Sequence, residues 1–162
     1  MTNFIPVRVA VLDLYNGEPN EGMRSIGTIL DRFSKFIECS FFDVRQKNEV
    51  PDLSYDIYIS SGGPGCPLPA GDEWEEPFYA LWDKLLAHNA DADNKKKYAF
   101  LICHSFQMMA HHLGFGVVSE RHSPVRTKRL FSSLYNVYVL SHKNNKQKRM
   151  NKKCKSWYYT SS

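Results

Sequence analysis

The sequence predicts an α/β domain with a mainly parallel central sheet flanked by helices, incomplete in its C-terminal part. Three observations carry this. Short apolar runs of strand length alternate with stretches whose apolar residues recur at helical spacing. Two of the runs end in turns that bear chemistry, Ser61-Gly-Gly-Pro-Gly65 and Cys103-His104, as the carboxyl ends of parallel strands do. The third is charge: residues 1–120 hold 10 Lys/Arg and all 17 Asp/Glu, whereas 121–162 hold 11 Lys/Arg and no acid. A folded domain mixes both signs on its surface. The expected division is therefore an α/β domain over 1–120 and a basic tail over 121–162, poorly ordered or not the native continuation.

Val7-Arg-Val-Ala-Val-Leu12 reads as a buried parallel strand. A polar turn, Tyr15 to Asn20, follows it, and then Met23, Ile26, Leu30, Phe33 and Ile37 fall at helical spacing. Ser40 to Val44 and Ile57 to Ile59 read as the second and third strands. Phe78, Leu81, Trp82, Leu85 and Leu86 trace one face of a second helix, with acidic residues at its start to suit the helix dipole. A polar loop, 91–97, leads to the strand Tyr98-Ala-Phe-Leu-Ile102. The helix after Cys103 runs to Leu113, and Gly114 closes it. Further on, Leu134 to Leu140 is strand-like, and 143–155 is a basic run of low hydrophobicity, expected to be disordered in isolation.

At 162 residues and 43% apolar content the chain has the length of one domain with a sizeable core. No apolar stretch is long enough to span a membrane, and the N-terminus lacks a basic-then-apolar leader pattern. Cys39, Cys66, Cys103 and Cys154 are irregularly spaced without a CxxC pair, which fits a reducing cytoplasm better than a disulfide framework. No metal or cofactor is expected. His111 and His112 are adjacent, so they point to different sides of a helix. The glycine turn lacks the lysine and spacing of a phosphate-binding loop.

Cys103 is the candidate nucleophile. A thiol on a sharp strand-to-helix turn is held clear of the sheet, at a helix N-terminus whose dipole and free N–H groups favour negative charge. The backbone N–H of His104 is then one oxyanion donor, and Gly63 offers a second, since Pro64 has no N–H and fixes the turn. Asp13 and Tyr15 lie at the edge of such a site, where they also read simply as turn residues.

Val11-Leu-Asp-Leu-Tyr15, Ser61-Gly-Gly-Pro-Gly65 and Leu101-Ile-Cys-His-Ser-Phe-Gln107 together resemble the class I glutamine amidotransferases, in particular proteins similar to the amidotransferase domain of GMP synthase. The resemblance covers roughly residues 5–118. It implies a flavodoxin-like three-layer fold and hydrolysis of glutamine to glutamate and ammonia through a γ-glutamyl thioester at Cys103. Gly63 and His104 would form the oxyanion hole, Gln107 and Gly65 would bind substrate, and ammonia would pass to a synthetase partner.

The chain departs from that family in two places. Leu101 and Ser105 replace the elbow glycines, which implies a looser or remodelled turn. The family's base is a His in a His-Pro-Glu segment some eighty residues past the cysteine. Here only 59 residues follow Cys103, His122 and His142 are the later histidines, and no carboxylate follows Glu120. The expectation is a C-terminally truncated or altered member, inactive if no base is supplied. A sheet lacking its last strands exposes an edge and an apolar face, which favours aggregation or a homodimer. Two other readings stand beside this one. The first is a Cys103-His104 hydrolase resembling the DJ-1 and PfpI group. The second is a non-catalytic binding module whose basic tail, if native, engages nucleic acid.

Overall fold

A computed structural model describes residues 5–115 and, beyond them, the strand Val137–Val139. Its sheet has the order β2-β1-β3-β4-β5, formed by β1 Val7–Asp13, β2 Ile37–Asp43, β3 Ile57–Ser60, β4 Tyr98–Ile102 and β5 Val137–Val139. The first four are parallel, and β5 runs antiparallel to β4 with Val137 opposite Ile102. The domain boundary expected at 120 and the basic run 143–155 lie outside the described residues.

The sheet is covered on both faces, giving the three-layer flavodoxin-like arrangement. Alternation along β1 divides the core. Ala10 and Leu12 face one way, onto α3 Glu75–Ala90 and α4 His104–His112, where Phe78, Leu81, Trp82, Leu85, Met108 and Met109 are buried. Val9 and Val11 face the other way, onto α1 Glu21–Asp31 through Ile26, Met23 and Leu30. Leu86, expected on the buried face of α3, is only partly buried. Rings on the α3 side meet edge to face, Tyr58 on Trp82 and Phe78 on Trp82 at 6.5 and 5.8 Å between centroids, the geometry that aromatic quadrupoles favour.

Helix α1 starts where Asn20 Oδ1 accepts the Met23 N–H at 2.7 Å. It stops earlier than the apolar spacing suggested. Phe33 is half exposed and Ile37 opens β2. The cause is competition for backbone: Phe36 and Ile37 both donate to the Phe33 carbonyl, and the Phe36 carbonyl accepts from Val7 N–H at 3.0 Å. That bond pulls the chain into the sheet beside β1, with Ile37 opposite Val7. Strand β2 is correspondingly longer than expected, and Val44 leaves it for a short helix, α2 Val44–Lys47, which the apolar pattern did not foretell. Its cap is Asp43, whose Oδ1 accepts from Gln46 N–H at 3.1 Å.

At the other end of the sheet, Asn89 exchanges two hydrogen bonds with Lys97, fixing the end of α3 to the start of β4. Helix α4 closes as expected: Gly114 takes a left-handed φ of +66°, its N–H bonds to His111 O, and Phe115 N–H reaches back to Ala110 O. Among the described residues no helix is long and apolar enough to cross a membrane.

Candidate active site

In this strand order, chain connections leave β1 and β3 in opposite directions, so a crevice opens beyond their carboxyl ends. Three turns converge there: the one after β1 carrying Tyr15, the one after β3 carrying Ser61 to Gly65, and the elbow after β4 carrying Cys103. Ser61 joins the first two. It is fully buried, its Oγ accepts the Leu14 N–H at 2.9 Å, and its own N–H donates to Leu12 O at 2.9 Å.

Cys103 stands alone between β4 and α4, with φ 50° and ψ −104°. That conformation is strained for a residue with a side chain, and such strain gathers at functional turns. The thiol is exposed. Of the looser or remodelled turn that the loss of its glycines implied, the structure shows an elbow tied by side-chain hydrogen bonds. Leu101 and Ser105 are buried. The Ser105 Oγ accepts from Ile102 N–H at 3.0 Å and lies 3.1 Å from Ser60 O, so one hydroxyl ties β4, β3 and α4 together.

The glycine turn lies against this elbow. A Cβ on Gly62 would sit 3.6 Å from Cys103 Cβ and 3.1 Å from the Tyr15 hydroxyl, so glycine lets three groups meet. Gly63 packs on the β1 turn instead: a Cβ there would fall 2.5 Å from Leu14 O. Gly65, with φ +95°, is exposed and has open space where a side chain would go. Gln107 lies one turn into α4, partly buried, and its N–H donates to Cys103 O at 3.0 Å. Cys103, His104 and Gln107 are thus brought together with Gly62, while Gly63 lies against the β1 turn and Gly65 is exposed.

The His104 side chain turns into the protein. It is 2% exposed, and its Nε2 meets Arg45 Nη2 at 2.9 Å, which makes that nitrogen the acceptor. Burial first, and the Arg45 charge second, lower its pKa to about 4. The ring is therefore a neutral, committed acceptor, which disfavours its serving as a base for the adjacent cysteine. Arg45 itself also donates to Pro64 O at 2.8 Å and lies over the Trp74 ring, 4.7 Å from its centroid. Sequence reasoning missed Arg45, and it named Ser61 and Ser105 without their bonding roles. The one signal available was the spacing of Asp43 and Gln46, which marks a helix start.

Among the described residues, the histidine with a carboxylate partner is His112, whose Nε2 lies 2.9 Å from Asp83 and whose ring stacks on Tyr79. It sits at the far end of α4, about 13 Å from Cys103 at the rise of an α-helix. His122 and His142 lie outside the described residues. A surface cleft of about 540 Å³ lies beyond β1, lined by Asp13, Gly17, Glu18, Asn20 and Arg24 among others. Neither Cys103 nor the glycine turn contributes to it.

No family model matches this chain, and no curated protein matches it. Among solved structures, the crystal structure of SMU.1228c is similar at 20% identity, with a TM-score of 0.31. The match covers 51% of this chain and 33% of that one, so this chain spans about a third of the other's length. A likeness at that score carries no argument about activity.

Proposed function

We propose that this chain is a glutaminase of the class I glutamine amidotransferase type, with Cys103 as nucleophile. The observation that supports it best is the strained, exposed Cys103 elbow set directly against the Gly-Gly-Pro-Gly turn at the crevice of a parallel sheet. In this reading the Cys103 sulfur attacks the carboxamide carbon of glutamine. Negative charge then develops on the carboxamide oxygen, where the backbone N–H groups of His104 and Gly63 receive it. The C–N bond breaks as the leaving nitrogen takes a proton, ammonia departs, and water hydrolyses the γ-glutamyl thioester to glutamate and free thiol. Gln107 and Gly65 hold the glutamyl part. The base that moves the protons is assigned to a residue beyond 115, because the described histidines are engaged elsewhere or distant. Ammonia would be delivered to a synthetase partner.

The direct test is glutamate formation from glutamine by the purified chain and by Cys103→Ala. Turnover that disappears in the variant supports the reading. Turnover that survives it, or none under conditions where the chain is folded, overturns it. Salt-dependent polyanion binding without turnover would point instead to a binding module.

A further inference from the structure

We infer that Arg45 is a positioning residue of this site, clamping the glycine turn to the cysteine elbow; the inference rests on the function proposed above. Four elements meet at its guanidinium. It comes from α2, donates through Nη1 to Pro64 O at 2.8 Å, donates through Nη2 to His104 Nε2 at 2.9 Å, and stacks on Trp74 just ahead of α3. The two acceptors belong to the two turns that must keep a fixed separation if Gly63 and His104 are to aim at one oxygen. A single planar fork spans both at once, which the point charge of a lysine cannot do.

The arrangement is not what ion pairing alone would produce. Asp72 and Glu75 are close enough to favour the Arg45 charge, yet among the described residues neither pairs with it. Glu75 accepts from Ala70 and Gly71 N–H, and Asp72 accepts from Trp74 Nε1. The guanidinium instead meets two neutral acceptors at the site, and its Nε is buried without a partner. An unpaired buried donor costs stability, so this geometry gives up stability while holding the two turns in register. Holding the His104 ring also holds the first residue of α4, whose N–H is the proposed oxyanion donor. The clamp therefore acts through backbone, and Arg45 need not touch substrate.

The test uses the full chain as wild type, Arg45→Ala and Arg45→Lys, with two readouts. Hydrogen exchange of the amides of Gly62, Gly63, Gly65 and Cys66 should quicken about tenfold or more in Arg45→Ala, with β1 and β4 amides unchanged. Glutamine hydrolysis should lose about thirtyfold or more in kcat with KM within about threefold, because a displaced donor affects the transition state more than substrate binding. Arg45→Lys should fall between the two on both readouts. Unchanged exchange in the turn overturns the clamp, and so does faster exchange with unaltered kcat. If Arg45→Ala unfolds, the same criteria apply to Arg45→Lys. If wild type does not hydrolyse glutamine, the proposed function fails by itself, while the exchange readout still decides whether Arg45 clamps the turn.

Discussion

Lowering the pH should weaken this fold through one identifiable residue. His104 is buried against the Arg45 guanidinium, and its pKa falls from 6.5 to about 4. A base with a depressed folded pKa is protonated first in the unfolded chain, so acid favours unfolding. The contribution is fully present above about pH 6.5, declines as pH falls from there to about 4, and is constant below. At ~1.4 kcal/mol per pKa unit the loss has a ceiling of about 3 kcal/mol. Water reaching the partly exposed Arg45 side lowers this to about 2 kcal/mol. Asp52, held low by its Ser54 hydrogen bonds, and Asp56, held low by Lys95, act in a separate window below 3.8, since depressed acids lose their stabilisation only as they protonate. Urea unfolding at pH 7.5 and 4.5 should therefore show a midpoint drop of roughly 1 M attributable to His104. In His104→Gln, which keeps an acceptor for Arg45 but does not titrate, that part of the drop should vanish. An identical drop in both proteins would refute the reasoning.

Three substitutions test the backbone of the site. Cys103→Gly should remove the thiol and relieve the positive φ, raising stability by about 1 kcal/mol after the entropy of glycine is subtracted, read as a Tm increase of about 3 °C. Gly63→Ala should cost about 2 kcal/mol by driving a methyl group against Leu14 O, measured as a lower urea midpoint. Ser105→Ala should cost about 1–3 kcal/mol by leaving Ile102 N–H without its buried partner, and faster amide exchange at Ile102 should accompany it.

Much of this architecture was legible before any coordinates because burial imposes period. Val9 to Leu12 and Ala99 to Ile102 are continuous apolar runs because parallel strands are covered on both faces, and both lie in the expected strands. Phe33 and Ile37 misled because they continue the period of α1 by chance. A backbone bond from Val7 N–H to Phe36 O decides the matter there, and hydropathy carries no trace of it. The elbow and the glycine turn were legible because each needs unusual residue types at fixed points. The bonding of the elbow's Ser105 was not legible, since size alone indicates a changed turn and only the fold shows its hydroxyl linking β4, β3 and α4. Arg45 left no trace beyond the Asp43–Gln46 spacing that marks a helix start. It lies 59 positions before His104, and only the folded path of α2 brings the two to 2.9 Å.

The central claim is that Cys103, among the accessible thiols, is built to attack the carboxamide carbon of glutamine. Cys66 is the internal control, being equally free and exposed three residues after Gly63. The most direct measurement is mass-spectrometric mapping of the chain treated with a diazoketone analogue of glutamine, with and without excess glutamine. The account predicts one adduct, on Cys103, suppressed by glutamine. Adducts shared between Cys66 and Cys103 and indifferent to glutamine would contradict it.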